Sequence, residues 1–151
     1  VTFTANHDTE KDANEDNIIA PENKLKAYAF IMTHPGYPTV FYLDYENPEF
    51  QEQLNKLIRI HNSLATGSLE IIYADNDEYI MQRSGNSENP GLILYMNISA
   101  STKRRTITTS WDSSILMDYS ENSNYHPKVS EDGEVTIEAP ANSYAIWSIT
   151  E

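Results

Sequence analysis

The sequence contains no cysteine, which excludes a disulfide framework and a thiolate metal site. This absence alone does not fix the cellular compartment. Basic residues are also scarce, with 10 Lys and Arg against 23 Asp and Glu and a formal net charge of −13. Because such a charge repels phosphate backbones, we expect no nucleic acid partner. No apolar run reaches the roughly 18 residues of a membrane-spanning helix, so we expect no membrane partner either.

The residues that are present describe a folded protein. Hydrophobic residues make up 39% of the 151 positions, and ten Tyr and two Trp are among them. This composition is typical of a globular chain rather than a disordered one. The length suits one ordinary domain or two small ones.

The first part of the chain alternates between strand and helix patterns. Val1 to Thr4 are β-formers that lead into the polar triplet Asn6-His7-Asp8, and the polar stretch at 9–17 is predicted to be a loop. Pro21 is typical of a first helical turn, and the helix predicted from it ends near His34. Its apolar face is formed by Leu25, Tyr28, Ala29 and Met32.

A second strand and helix follow. The continuous apolar run at 39–43 predicts a buried parallel strand. Asn47 is expected to cap the next helix, with Pro48 in its first position and Gly67 closing the segment. One face of that helix carries Phe50, Leu54, Leu57, Ile58 and His61. The order of strand, helix, strand, helix is the signature of βα units.

Beyond residue 67 the pattern changes to short strands separated by turn residues. Seven such strands with no helical periodicity predict an antiparallel sandwich. The predicted strands are 69–73, 79–83, 92–98, 105–109, 115–119, 134–138 and 144–149. We therefore place a domain boundary near residues 66–68.

Four stretches carry a family resemblance. The segment FTANHD at residues 3–8 resembles the fourth conserved region of glycoside hydrolase family 13, the α-amylase family, which reads F-x-x-x-H-D. The run at 26–46 resembles the next helix and the last barrel strand of the same enzymes. The runs LIRIHNSLATGS at 57–68 and YADNDE at 73–78 are most similar to archaeal-type α-amylases. The resemblance covers nearly the whole chain in the family's order.

The resemblance implies a fold in two parts. Residues 1–66 would form the last two βα units of a (β/α)8 TIM barrel, and residues 67–151 the antiparallel Greek-key β-sandwich called domain C. A complete barrel takes about 250 residues, so we expect the chain to be the C-terminal portion of a longer enzyme. Its partners would then be an α-glucan substrate and the remainder of the barrel.

The resemblance also implies roles for two residues. Asp8 matches the aspartate that stabilises the transition state, and His7 matches the histidine that binds the same sugar. Retaining glycosidases also need a nucleophile and a general acid/base. In this family both lie on earlier strands, and no segment here resembles them, so the chain alone is predicted to be inactive. Calcium or zinc in such enzymes is usually held by an earlier excursion from the barrel, and we assign no metal or other cofactor to this chain.

Other polar and aromatic residues receive structural interpretations. Asp44 follows the second predicted strand, and we interpret it as structural or capping rather than substrate-binding. Residues 75–78 have the oxygen density of a calcium loop but not its glycine and distant glutamate, so a hairpin turn is favoured. His61 is interpreted as a packed histidine. Trp111 and Trp147 could stack on sugars, although sandwich cores commonly contain such rings.

Three hypotheses remain, and one of them is that the chain is a fragment with no independent role. The first is the C-terminal part of a retaining α-amylase that cleaves internal α-1,4 bonds of starch-type glucans. The alternative is a non-catalytic carbohydrate-binding or stabilising β-sandwich module, which uses the same sandwich and needs no catalytic carboxyls.

Overall fold

A computed structural model describes residues 1–9 and 18–150. We call residues 1–66 the helical region and residues 67–150 the β region. The described elements, in chain order, are β1 (Thr2–Phe3), α1 (Pro21–Thr33), β2 (Pro38–Thr39), α2 (Tyr42–Glu46), α3 (Pro48–Leu64), β3 (Leu69–Ala74), β4 (Glu78–Arg83), β5 (Leu92–Asn97), β6 (Lys103–Thr108), β7 (Leu116–Asp118), β8 (Glu134–Ala139) and β9 (Ser143–Ile149). Of the predicted polar loop at 9–17, only Thr9 lies within the described residues.

The helical region begins with two short parallel strands. β1 pairs with β2, with Thr2 opposite Pro38 and Phe3 opposite Thr39. α1 lies between them in the chain, and parallel strands require such a crossover. The amide of Thr2 also donates to the carbonyl of Tyr37 over 3.0 Å. The predicted order of a strand, a helix and a parallel strand is confirmed.

The second strand is shorter than predicted. Only Pro38 and Thr39 pair, whereas Tyr42–Glu46 form the short helix α2, so the strand predicted at 39–43 is wrong beyond Thr39. An apolar run alone cannot distinguish a strand from a buried helical turn. The Tyr28 hydroxyl stabilises the helical turn, because it accepts a hydrogen bond from the Phe41 amide over 3.2 Å and donates one to Asp44 Oδ2 over 2.7 Å. These bonds attach the turn to α1.

Both longer helices begin where the sequence predicts. Pro21 opens α1, and His34 ends it in extended geometry. Asn47 caps α3, where its side-chain oxygen accepts from the Glu49 amide over 3.0 Å. The cap satisfies one of the amides that a helix start leaves without a partner. α3 ends at Leu64, before Gly67.

All seven predicted strands of the β region are present. Five form one antiparallel sheet in the order β3-β4-β5-β9-β7, and β6 pairs with β8 in a second antiparallel sheet. The chain leaves the larger sheet after β5, forms β6 in the second layer and returns as β7. The predicted pair of antiparallel layers is therefore confirmed.

The larger sheet is buried on both faces, as the all-buried pattern of β9 residues Tyr144–Ser148 indicates. On one face, α1 and α3 cover it through a shared core that includes Tyr28, Leu57, Leu94 and Ile146. On the other face, β6 and β8 cover it around Trp147 and Ile137. The helices are thus part of the sandwich core, and the division at residues 66/67 stays a prediction.

Polar contacts also join the two regions. The Arg83 guanidinium donates to the carbonyl of Thr33 over 3.0 Å and, twice, to the carbonyl of Gly67. His34 Nε2 lies 2.8 Å from the Tyr79 hydroxyl. Arg83 thereby joins the end of α1 to the first residue of the β region.

Candidate functional site

The predicted site residues lie just beyond the end of β1. Asn6 organises this loop, because its side-chain oxygen accepts from the amides of Asp8 over 2.9 Å and Thr9 over 3.0 Å. The Asn6 amide in turn donates to Thr9 Oγ1 over 2.9 Å. These bonds form an Asx turn, which holds the intervening backbone in one conformation. The triplet drew attention to His7 and Asp8, whereas Asn6 is the residue that fixes the turn.

The turn presents His7 and Asp8 to solvent together. Their side chains are 80% and 81% exposed, and His7 Nε2 lies 3.3 Å from Asp8 Oδ1. A contact this exposed contributes little to stability, since water solvates both partners. The carboxylate and the imidazole are therefore free to exchange this contact for bonds to the hydroxyl groups of a ligand. The structure brings the two predicted site residues together.

A cavity of about 420 Å³ lies beside them. Its lining is formed by residues of β1 and β2 and by the segments that follow both strands, and it includes Asn6, His7, Phe41 and Tyr42. This volume falls in the range of ligand pockets, which are mostly apolar with a few polar groups. Tyr42 is a site candidate that the sequence did not single out, and the signal for it was only an aromatic residue soon after a strand.

A larger cavity of about 520 Å³ lies between α1 and the turns near Ile98 and Asn142. Apolar side chains such as Phe30 and Met96 line most of it. Its charged member, Lys26, is bonded through its amine to the Asn142 side chain. Burial lowers the pKa of Lys26 despite the nearby Glu22 carboxylate. This cavity lacks the acidic and imidazole groups that the predicted chemistry needs.

Asp44 has a structural environment. It is buried in α2, where Lys24 Nζ lies 2.5 Å from one carboxylate oxygen and the Tyr28 hydroxyl donates to the other. Burial, together with the hydrogen bond to Asp44, raises the pKa of Tyr28. A carboxylate saturated in this way is not available to a substrate, which agrees with the structural interpretation of the sequence.

The acidic stretch at 75–78 is a hairpin turn, as favoured. Asp75 Oδ1 accepts from the amides of Asp77 and Glu78 over 2.8 and 2.7 Å, and its other oxygen accepts from the Tyr73 hydroxyl. These bonds lower the pKa of Asp75. Glu78 is held by Arg105 across the two sheets over 2.7 Å, and that bond lowers the pKa of Glu78.

The remaining candidates are also engaged. His61 Nδ1 lies 2.7 Å from the Met32 carbonyl, which joins α3 to the end of α1. Trp147 is fully buried and offers no open stacking face, whereas Trp111 is half-buried and donates its ring N–H to the Pro90 carbonyl. Asn97, which begins a glycosylation sequon, is fully buried and donates to three carbonyls, including that of Ala139.

Metal and membrane features were searched over residues 1–9 and 18–150. No three acidic or histidine side chains in these ranges come together as a metal site. In the same part of the chain, none of the helices has the length and apolarity needed to cross a bilayer.

Comparison with known proteins shows a similarity to α-amylases. Residues 92–148, from β5 into β9, match the sequence model of the family described as alpha-amylase C-terminal. The whole chain aligns at 27% identity with the cytoplasmic α-amylase of Escherichia coli, and 60% of it aligns at 36% identity with the α-amylase of Geobacillus stearothermophilus. Residues 92–148 are an α-amylase C-terminal region.

A solved structure carries the likeness into three dimensions. The crystal structure of an Anoxybacillus α-amylase superposes on 99% of this chain with a TM-score of 0.72, at 20% sequence identity. At that sequence identity, the structural similarity shows only that the two folds are alike. The chain spans 34% of the E. coli protein, 18% of the G. stearothermophilus protein and 38% of the solved chain.

Proposed function

We propose that this chain supplies the end of the catalytic barrel and domain C of an enzyme that cleaves internal α-1,4-glucosidic bonds of starch-type glucans with retention. Residues 1–66 would be the last two βα units of the barrel, and residues 67–151 domain C. The observation that carries the proposal is the exposed pair His7 and Asp8, which sits beyond the carboxyl end of β1. Barrel enzymes place their chemistry at that end of the strands.

The two short strands support the barrel assignment. Parallel strands occur almost only where both faces of the sheet are covered. α1 packs against β1, whereas Val1 and Phe3 remain largely exposed. A pair that exposes such side chains is what two barrel strands would present without their neighbours. The remainder of the barrel is therefore the proposed partner of this surface.

Within this proposal, Asp8 and His7 act on the sugar at the cleavage point. The Asp8 carboxylate accepts hydrogen bonds from ring hydroxyl groups, and these bonds strengthen as positive charge develops in the transition state. His7 binds the same ring and keeps the carboxylate oriented through their contact. The nucleophile and the general acid/base come from the rest of the enzyme, so the 151-residue chain alone is inactive.

The test is Asp8→Asn in the longer amylase that carries this chain. We expect a loss of starch hydrolysis of about a hundredfold or more, and each tenfold corresponds to about 1.4 kcal/mol of transition-state stabilisation. The melting temperature should not change, because the Asp8 side chain is 81% exposed and, within residues 1–9 and 18–150, its carboxylate contacts only His7. Release of reducing sugar from soluble starch is the measurement.

Asp132→Asn is the matched control, since it changes an exposed carboxylate in the turn between the β region's later strands. It should leave turnover unchanged. Near-normal turnover of Asp8→Asn would contradict the assigned role. Starch cleavage by the 151-residue chain alone would contradict the division of the catalytic groups.

The alternative of a carbohydrate-binding sandwich has less support. Residues 67–150 are all described, and none of their Phe, Tyr or Trp side chains is among the exposed large hydrophobic residues. Sugar-binding surfaces depend on such rings, whose flat faces pack against the apolar faces of sugars. The test is retention of the 151-residue chain on a starch column. Retention that persists in Tyr42→Ala would favour the alternative, because the binding would then not depend on the helical region's Tyr42.

A further inference from the structure

Tyr42 is held beside the predicted catalytic pair. The β1–β2 pairing sets each residue of β1 opposite the residue 36 positions later, as in Phe3 and Thr39. Asn6 and Tyr42 lie beyond the paired residues, each three positions after the end of its strand, and Asn6 is one residue before His7. His7 and Tyr42 both line the cavity of about 420 Å³.

The Tyr42 ring is exposed and yet supported. It is 61% exposed, although α2 begins at this residue. The ring of Phe41, which is buried, meets it edge-on with the centroids 5.2 Å apart and the planes at 70°. An aromatic contact of this geometry is favourable and fixes the position of the outer ring. An exposed ring fixed in this way loses little conformational freedom when a ligand packs on it.

The position of Tyr42 distinguishes it from the other apolar residues of the cavity. Val1, Phe3 and Thr39 belong to the strand pair or its start, so neighbouring strands of a barrel would cover them. Tyr42 lies three residues beyond the last paired residue of β2, on the side where His7 and Asp8 are exposed. In α/β folds, ligands bind outside the carboxyl ends of the strands.

We propose that Tyr42 is a substrate-positioning residue whose ring stacks on a glucosyl unit of the α-glucan next to the unit bound by His7. The inference rests on the function proposed above and adds a specificity contact to it. A glucosyl ring has hydroxyl groups around its edge and apolar C–H faces. His7 and Asp8 suit the edge, and the tyrosine ring suits a face.

The test compares Tyr42 with Tyr37 in the longer amylase. Tyr37 is 81% exposed and precedes β2, so it lies at the opposite end of the same strand and is the matched control. We expect Tyr42→Ala to raise KM for a maltooligosaccharide about three- to tenfold, which is the range that one aromatic contact supplies. Its kcat should change less than twofold, about 0.4 kcal/mol.

Two further variants separate stacking from structure. Tyr42→Phe retains the ring and should retain the KM, whereas Tyr42→Leu retains apolar bulk and should behave like Tyr42→Ala. Equal KM values for the Ala, Phe and Leu variants would overturn the inference. So would a KM for Tyr37→Ala that rises as much as the KM for Tyr42→Ala.

The outcome for Asp8→Asn keeps the two proposals apart. If Asp8→Asn is inactive and Tyr42→Ala has a normal KM, the proposed function stands and the stacking role is wrong. If Asp8→Asn is fully active, the proposed function itself fails, and the Tyr42 inference falls with it.

Discussion

The helical region exposes aromatic rings and the β region encloses them. Five rings of the helical region are at least 37% exposed, namely Phe3, Phe30, Tyr37, Tyr42 and Tyr45, whereas the described part of the β region exposes none to that degree. Both regions belong to the same chain and share one core. The two regions therefore differ in their surfaces. The β region buries its aromatic rings within its own core, whereas the helical region leaves aromatic surface open to contact.

Polar groups repeat this contrast. In the β region, the buried Asp118 accepts hydrogen bonds from four backbone amides and one hydroxyl, and Glu78 accepts from Arg105 and Tyr95. In the helical region, the side chains of His7 and Asp8 are 80% and 81% exposed and contact each other. Internal pairing fixes a fold, while solvated charges at a strand end are available for chemistry.

The largest effect on stability is expected at Asp118. Asp118→Ala would leave the amides of Ile146 and Ser120 without an acceptor in a buried site. We expect a loss of about 3 kcal/mol or more in the free energy of unfolding, measured by urea denaturation of the 151-residue chain. Burial raises the pKa of Asp118, which means that its charge is itself costly, so Asp118→Asn should lose less. Asp112 is exposed, so Asp112→Ala should change the free energy of unfolding little. An equal loss in Asp112→Ala and Asp118→Ala would show that the Asp118 hydrogen bonds do not stabilise the β region.

A smaller effect is expected at Arg83, where the regions meet. Arg83→Met removes the bonds to the carbonyls of Thr33 and Gly67, and we expect a loss of about 2–3 kcal/mol in the free energy of unfolding. Arg104 is the control, because its bond to Glu138 is exposed to solvent, and Arg104→Met should lose less than about 1 kcal/mol. Equal losses in the two variants would show that the Arg83 bonds stabilise the junction no more than an exposed ion pair does.

The smallest effect is a pH dependence at His34. Burial lowers the pKa of His34, and the positive Arg83 adds to this, although the bond to the Phe30 carbonyl opposes it. A lowered pKa means that the unfolded chain binds the proton more readily than the folded one. The stability that neutral His34 contributes is then complete above the ordinary histidine pKa of about 6.5 and is lost as the pH falls below it.

The measurement is the free energy of unfolding at pH 7.5 and pH 5.5 in the wild-type chain and in His34→Phe. The wild type should lose more stability between the two values, by less than about 1.4 kcal/mol per pH unit, the limit for one proton. Phe at this position preserves the stacking on Phe30. An identical pH response in both proteins would show that His34 does not cause the pH dependence of stability.

The strands of the β region could be predicted because each local signal agrees with the others. Turn residues such as Gly133 separate runs of β-formers, and every run is a strand in the structure. α2 could not be predicted, since the apolar letters before Asp44 do not reveal that a tyrosine 16 residues earlier will hold that carboxylate. Long-range bonds of this kind are not encoded in local periodicity.

The candidate site shows the same limit. His7 and Asp8 stood out through their motif, and the structure places both at the strand end. Tyr42 did not stand out, because what distinguishes it is its position across the β1–β2 pair and its exposure. The network around Asp118 was missed for a related reason, since its partners include Ile146, 28 residues away.

The shared core has a consequence for building chimaeric enzymes. The family match begins at β5, in the middle of the larger sheet, and contains none of the helices that cover one of its faces. A graft cut at that boundary would set Leu94 and Ile146 of one parent against α1 and α3 of the other. Recombination between relatives should therefore exchange α1 to β9 as one block, so that the larger sheet keeps the helices that cover it.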